Sequence, residues 1–99
     1  MKKGGYVYIM TNAGHTVLYT GVTSNIELRV AQHKLGGVEG FSSKYHTKKL
    51  VFFEFLDSMH DAIALEKNIK GKTRAKKIAM IFQLNPRWHD LAYTCMDNA

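Results

Sequence analysis

Two short runs rich in tyrosine, valine and isoleucine, Tyr6–Met10 and Val17–Val22, stand close together near the start of the chain, and they constrain the fold more than any other feature. β-Branched and aromatic residues at that density are strand composition. The linker between them, Thr11-Asn12-Ala13-Gly14-His15-Thr16, holds an Asn and a Gly, which tolerate the positive φ angles that a chain reversal needs. An antiparallel hairpin is expected. Tyr8 lies in the first strand and Tyr19 in the second, beside a Gly21 that would let another group come close. Because side chains alternate across a strand, the two phenols share a face if paired residue numbers sum to 27 or close to it, and part at 28. Sequence leaves that register open.

Downstream, Ser24 with Glu27 three residues later is a capping pattern, and a helix is expected to run to about Leu35 before Gly36-Gly37. Leu28, Ala31 and Leu35 form its expected core stripe; Arg29 and His33, four apart, share a second face with Ile26 and Val30 that also meets the body. Val38 to Lys49 has no sustained period and mixes Lys44, Lys48, Lys49 and His46 with Phe41 and Tyr45, so it reads as a loop with at most one helical turn. Its basic and aromatic residues suit phosphates and unstacked bases, or else Phe41 and Tyr45 anchor the loop. Leu50–Leu56 is a third strand, central or covered on both faces. Ser58 caps a second helix whose inward face is Ala62, Leu65, Glu66 and Ile69. Glu66 there needs a partner: Lys70 or a nearby arginine, a metal ion, or a catalytic proton. Gly71 loosens that helix, and Thr73 caps a third one with Ile78, Ile81 and Phe82 inward and Lys76 and Lys77 outward, stopped by Asn85-Pro86. Trp88, Leu91 and Tyr93 are expected to dock a last turn on the core. The whole is an α/β (α+β) chain of order β-β-α-loop-β-α-α in one domain over residues 1–93, with a frayed tail over 94–99.

The 99 residues suffice for a single modest core. One cysteine, Cys95, excludes an internal disulfide and a cysteine-rich zinc cluster, and His15, His46, His60 and His89 have no metal spacing. Apolar runs are too short to span a bilayer and no apolar stretch of signal length follows Lys2-Lys3, so a cytoplasmic protein without membrane attachment is expected. Lys and Arg number 14 against 8 Asp and Glu, a net charge of +6, which favours polyanionic partners. The excess is clustered. Lys67, Lys70, Lys72, Arg74, Lys76 and Lys77 fall in one stretch without an acid.

These residues together resemble the GIY-YIG nuclease superfamily, and within it the small bacterial stand-alone proteins of one domain. Gly5-Tyr6-Val7-Tyr8-Ile9 is similar to the first signature, with Val7-Tyr8 for its Ile-Tyr, and Tyr19-Thr20-Gly21 stands for Tyr-Ile-Gly. Tyr19 follows Tyr8 by eleven residues, Arg29 follows Tyr19 by ten and His33 follows Arg29 by four, in the family's order. The likeness continues through Val38–Phe41, Lys44-Tyr45, Leu65-Glu66-Lys67, Arg74-Ala75 and Asn85–Leu91.

The resemblance implies a three-stranded antiparallel sheet flanked by helices, with Tyr8, Tyr19, Arg29, His33 and Glu66 converging on a phosphodiester. Tyr8 or Tyr19 would be the general base, its phenol pKa lowered from about 10 by nearby cations. Arg29 would grip phosphate oxygens. His33 would polarise a tyrosine or relay a proton, and Glu66 would hold one Mg²⁺ or Mn²⁺. A metal-dependent endonuclease acting on DNA follows, with Lys44, Tyr45, Lys48, Lys49, Lys70, Arg74 and Lys77 holding the nucleic acid. Single-stranded or branched DNA, repair or recombination, and a partner protein for targeting complete that expectation. The alternative is a non-catalytic nucleic-acid-binding module on the same fold.

Overall fold

The computed structural model describes residues 4–36 and 44–93. Strand β1 (Gly5–Thr11) and β2 (Leu18–Thr23) form the hairpin; α1 (Ile26–Lys34), β3 (Lys49–Leu56), α2 (Met59–Lys70) and α3 (Arg74–Leu84) follow. The element order is the expected one. All pairing is antiparallel, and the sheet order is β2-β1-β3. β1 is therefore the central strand, and β3, expected as central or covered, lies at an edge. Its first half is nonetheless buried on both faces: Leu50 packs on one side of the sheet, Val51 and Phe52 on the other. A bulge makes this possible, because Phe52 opposes Ile9 while Leu50 opposes Met10, leaving Val51 as the extra residue.

Alternation along β1 divides the core in two. Val7 and Ile9 face Ala62 and Ile69 of α2 and Ile81 of α3, whereas Tyr8 and Met10 face Ile26 and Val30 of α1, together with Leu50 and Ala92. Helices thus cover both faces of the sheet. A side chain of this size fully withdrawn from water contributes about 2 kcal/mol.

Caps appear where expected at Ser58, which accepts from the Asp61 amide, and at Thr73, which accepts from Lys76. In α1 the cap is Asn25 rather than Ser24, with its side chain accepting from Leu28. The expected core stripe of α1 is also displaced: Leu28 is 55% exposed and Leu35 86%, while Ile26, Val30 and His33 are buried. Both triads fit a helical period, so periodicity alone could not choose between them. Gly36 ends α1 with φ 73, its amide donating to the His33 carbonyl. In α3 the inward residues are Ile78 and Ile81, continued by Asn85 just past its end, and Phe82, one step past Ile81, turns out to 61% exposure.

In the hairpin turn the residue at positive φ is His15, not Asn12 or Gly14. Asn12 works through its side chain, whose Oδ1 accepts from the Thr16 and Val17 amides. Past α3, the Asn85 side-chain Nδ2 donates to the Val51 and His89 carbonyls, and Asp90 Oδ1 accepts from the Leu50 and Ala92 backbone amides. The Leu91 amide donates to the Leu50 carbonyl, so this segment covers the outer edge of β3 at its start. Trp88 and Leu91 pack as expected; Tyr93 is 81% exposed and Ala92 is the buried residue in its place. Phe41 and the residues from Thr94 onward lie outside the described ones.

Candidate active site

The hairpin register places Tyr8 opposite Gly21 and Met10 opposite Tyr19, so paired numbers sum to 29. The sum keeps the parity of 27, and the two phenols share a face as diagonal neighbours with ring centroids 6.2 Å apart. Gly21 has a definite reason. A Cβ there would stand 2.4 Å from the Tyr8 hydroxyl oxygen, so the group that comes close to this glycine is the Tyr8 ring itself.

α1 crosses this face and delivers Arg29 and His33 from successive turns. The His33 Nε2 lies 3.3 Å from the Tyr8 hydroxyl, and the His33 ring meets Tyr8 and Tyr19 edge-on at 5.6 and 5.0 Å. Arg29 and Tyr19 both stand close enough to the Tyr8 hydroxyl to act on its ionisation. The Thr47 main chain accepts from the His33 ring, and with Nε2 turned to Tyr8 that donor is Nδ1. Neutral His33 therefore presents Nε2 as an acceptor for the Tyr8 O–H.

Electrostatics sort the two tyrosines. Burial, then the neighbouring Tyr19, push the Tyr8 pKa up, and Arg29 only partly opposes them. Tyr8 is thus held protonated, the reverse of what a general base needs. Burial, followed by the Arg29 charge, pushes His33 down to about 4 against the pull of its bond to Thr47, so the ring is neutral at pH 7.

Glu66 projects from α2, which packs on the opposite face of the sheet from Tyr8, and its carboxylate bonds Lys70 at 3.0 Å. The partner is the lysine one turn on. Lys70 in turn lines a cleft of about 200 Å³ with Leu18, Tyr19, Thr20 and Lys77 at the edge of β2, which brings the Glu66 pair towards Tyr19. Among the described residues no three His, Cys, Asp or Glu side chains gather as a ready metal cage. A single, mostly buried carboxylate is a hard oxygen donor, and it fits a divalent ion whose remaining ligands are water and phosphate.

Of the residues expected to hold nucleic acid, Tyr45, Arg74 and Lys77 line one pocket of about 330 Å³, and the Lys44 ammonium sits 5.4 Å from the Tyr45 ring centroid. Lys48 is exposed, and Lys49 turns instead to His15, Nζ to Nε2 2.9 Å. Two participants carried no sequence signal: Thr47, through its main chain, and His15, which stacks on Trp88 at 4.8 Å.

The family model of the GIY-YIG catalytic domain matches residues 4–79. The chain belongs to the GIY-YIG family. Similar relatives are a UPF0213 protein of Natronomonas pharaonis, 40% identical over 76 residues that cover 77% of this chain and 88% of that one, and a UPF0213 protein of Syntrophus aciditrophicus, 40% identical over 85 residues covering 82% and 92%. The solution NMR structure of a UPF0213 protein from Bacillus halodurans superposes with a TM-score of 0.57 at 23% identity, covering 88% of this chain and 92% of that one. That last likeness is one of fold. The GIY-YIG assignment agrees with the side chains gathered at Tyr8, since both tripeptide tyrosines and Arg29 meet there.

Proposed function

We propose that this GIY-YIG domain is a divalent-metal-dependent endonuclease that hydrolyses DNA phosphodiester bonds. The observation that carries this reading is the convergence of Tyr8, Tyr19, Arg29 and His33 on one hydroxyl. A structural core does not need a guanidinium, two phenols and an imidazole in one place.

In the reaction an oxygen of water bonds to phosphorus, the bond to the leaving oxygen breaks, and one proton leaves the water while another reaches the leaving oxygen. Arg29 holds the phosphate oxygens through paired N–H donors and stabilises the charge that builds on them. Tyr19, half-buried and open to the cleft with Lys70 and Lys77, takes the proton of the water. Tyr8 stays protonated and orients the site, anchored by Nε2 of neutral His33. Glu66 would hold the ion, Mg²⁺ or Mn²⁺, which when bound supplies further charge stabilisation at phosphorus. Single-stranded or branched DNA is the preferred substrate of this proposal, in a cytoplasmic setting of repair or recombination, with a partner protein for targeting. No helix among the described residues is long and apolar enough to cross a membrane.

The Glu66–Lys70 pair favours a second reading, a nucleic-acid-binding module without catalysis, because the lysine already neutralises the carboxylate. End-labelled single-stranded, duplex and branched DNA, incubated with Mg²⁺, Mn²⁺ or EDTA, separates the two. Metal-dependent products that vanish with Glu66→Ala support the nuclease. Binding without cleavage in both proteins supports the module.

A further inference from the structure

The outer edge of β2 carries two adjoining depressions. Leu18, Tyr19, Thr20, Lys70 and Lys77 line the first, and Thr16, Val17, Leu18, Tyr45, Arg74 and Lys77 the second. Leu18 and Lys77 belong to both. The two therefore form one groove that starts beside Tyr19 and Thr20 and runs back along the chain to Thr16, about 13 Å from Thr20 at the rise of an extended strand. One wall is the edge strand of the sheet. The other is basic: Lys70 from the end of α2, then Arg74 and Lys77 from the start of α3. No acid is among the described lining residues.

Two features set this groove apart from an ordinary solvated basic face. The first turn of α3 has no acidic residue and holds Arg74, Lys76 and Lys77, a placement that works against the helix dipole and is relieved when an anion docks there. Arg74 is also held in place, since its Nη2 donates to the His15 carbonyl at 3.0 Å and the planar fork retains further N–H donors. At the far end stands the Tyr45 ring, 39% exposed.

We infer that this groove is a flanking-nucleotide site, taking the single strand on one side of the scissile phosphate. The neighbouring phosphates lie against Lys70 and Lys77 and then Arg74, and a base packs on the Tyr45 ring. Recognition through phosphates and the π-face of a base is indifferent to sequence. The inference rests on the nuclease reading for the position of the scissile phosphate, and its test is independent of cleavage.

Fluorescence anisotropy in EDTA, with labelled oligothymidine and an abasic oligomer of the same length, reads the groove directly. Wild type is expected to bind the oligothymidine roughly tenfold more tightly than the abasic strand, Tyr45→Phe to do the same, and Tyr45→Leu to lose the distinction. Lys77→Gln should lower the salt slope of binding by about 0.7, one phosphate contact on a single strand. Lys67→Gln, at an exposed lysine outside the groove, should leave it unchanged. Matched thermal melts confirm that each variant is folded, and Lys77→Gln carries the test if a Tyr45 variant is not. Tyr45→Leu and Lys77→Gln that bind like wild type, with the same base preference and salt slope, overturn the groove even in a protein that cuts DNA. Variants that behave as expected in a protein that no metal activates leave the groove standing as a nucleic-acid site and remove only the nuclease reading.

Discussion

At Gly21 a methyl group would stand 2.4 Å from the Tyr8 hydroxyl oxygen and 2.5 Å from Cζ, both well inside van der Waals contact. The Tyr8 ring cannot retreat, because it is fully buried and its hydroxyl is tied to His33. Gly21→Ala should therefore cost about 1–3 kcal/mol in urea unfolding and, under the proposed nuclease reading, lower DNA cleavage beyond what the loss of folded protein explains. Wild-type stability together with wild-type cleavage would show that the ring is not confined. His33 supplies a pH test. Its folded pKa, about 4, lies below the ordinary 6.5, so the unfolded chain binds the extra proton. The stability this neutral ring contributes is present above pH 6.5 and is lost as pH falls towards 4, by about 3 kcal/mol at most. Unfolding free energies of wild type and His33→Gln, measured at pH 7.5, 5.5 and 4.5, should converge as pH falls, since the carboxylates are common to both. Parallel curves would remove the buried neutral histidine.

Elements were legible in proportion to how local their causes are. Caps at Ser58 and Thr73, the stop at Asn85-Pro86 and the strand composition of Tyr6–Met10 are short-range signals, and each appears where the sequence puts it. The inward face of α1 was legible only in part: the second face, with Ile26, Val30 and His33, meets the body as expected, but the stripe taken as the core one is exposed at Leu28 and Leu35. Leu28, Ala31 and Leu35 out-rank Ile26, Val30 and His33 only if histidine is counted as polar, and what buries His33 is its pairing with Tyr8 and Thr47, both distant in sequence. The edge position of β3 was hidden for a related reason: a bulge at Val51 and the segment from Asn85 to Leu91 bury it from outside the strand. Substitution separates the two stripes of α1. Val30→Ala should cost about 2 kcal/mol, while Leu35→Gln should stay within about 0.5 kcal/mol, both read by urea unfolding. The reverse order would restore the stripe that periodicity suggests.

Across the fold, His15 joins four segments that no local pattern connects. Its ring stacks on Trp88 at an interplanar angle of 28°, its Nε2 meets the Lys49 ammonium, and its carbonyl accepts from Arg74. An ammonium has donors only, so the 2.9 Å contact requires Nε2 to be an acceptor and the ring to be neutral. Burial and then the Lys49 charge lower the His15 pKa in the same sense. The backbone there is at φ 56, an uncommon conformation outside glycine, sustained by what the side chain holds. Two substitutions separate the side-chain contacts from the backbone strain. His15→Ala removes the stack and the Lys49 contact but keeps the strained φ, and should cost about 1–3 kcal/mol. His15→Gly removes the same contacts while relieving the backbone, and should be the more stable of the two by about 0.5–1 kcal/mol. Neither touches the carbonyl that holds Arg74, so both variants should bind oligothymidine in EDTA as wild type does. Weakened binding in the two variants alike would mean that the histidine ring, and not the main chain, places the basic wall of the β2 groove.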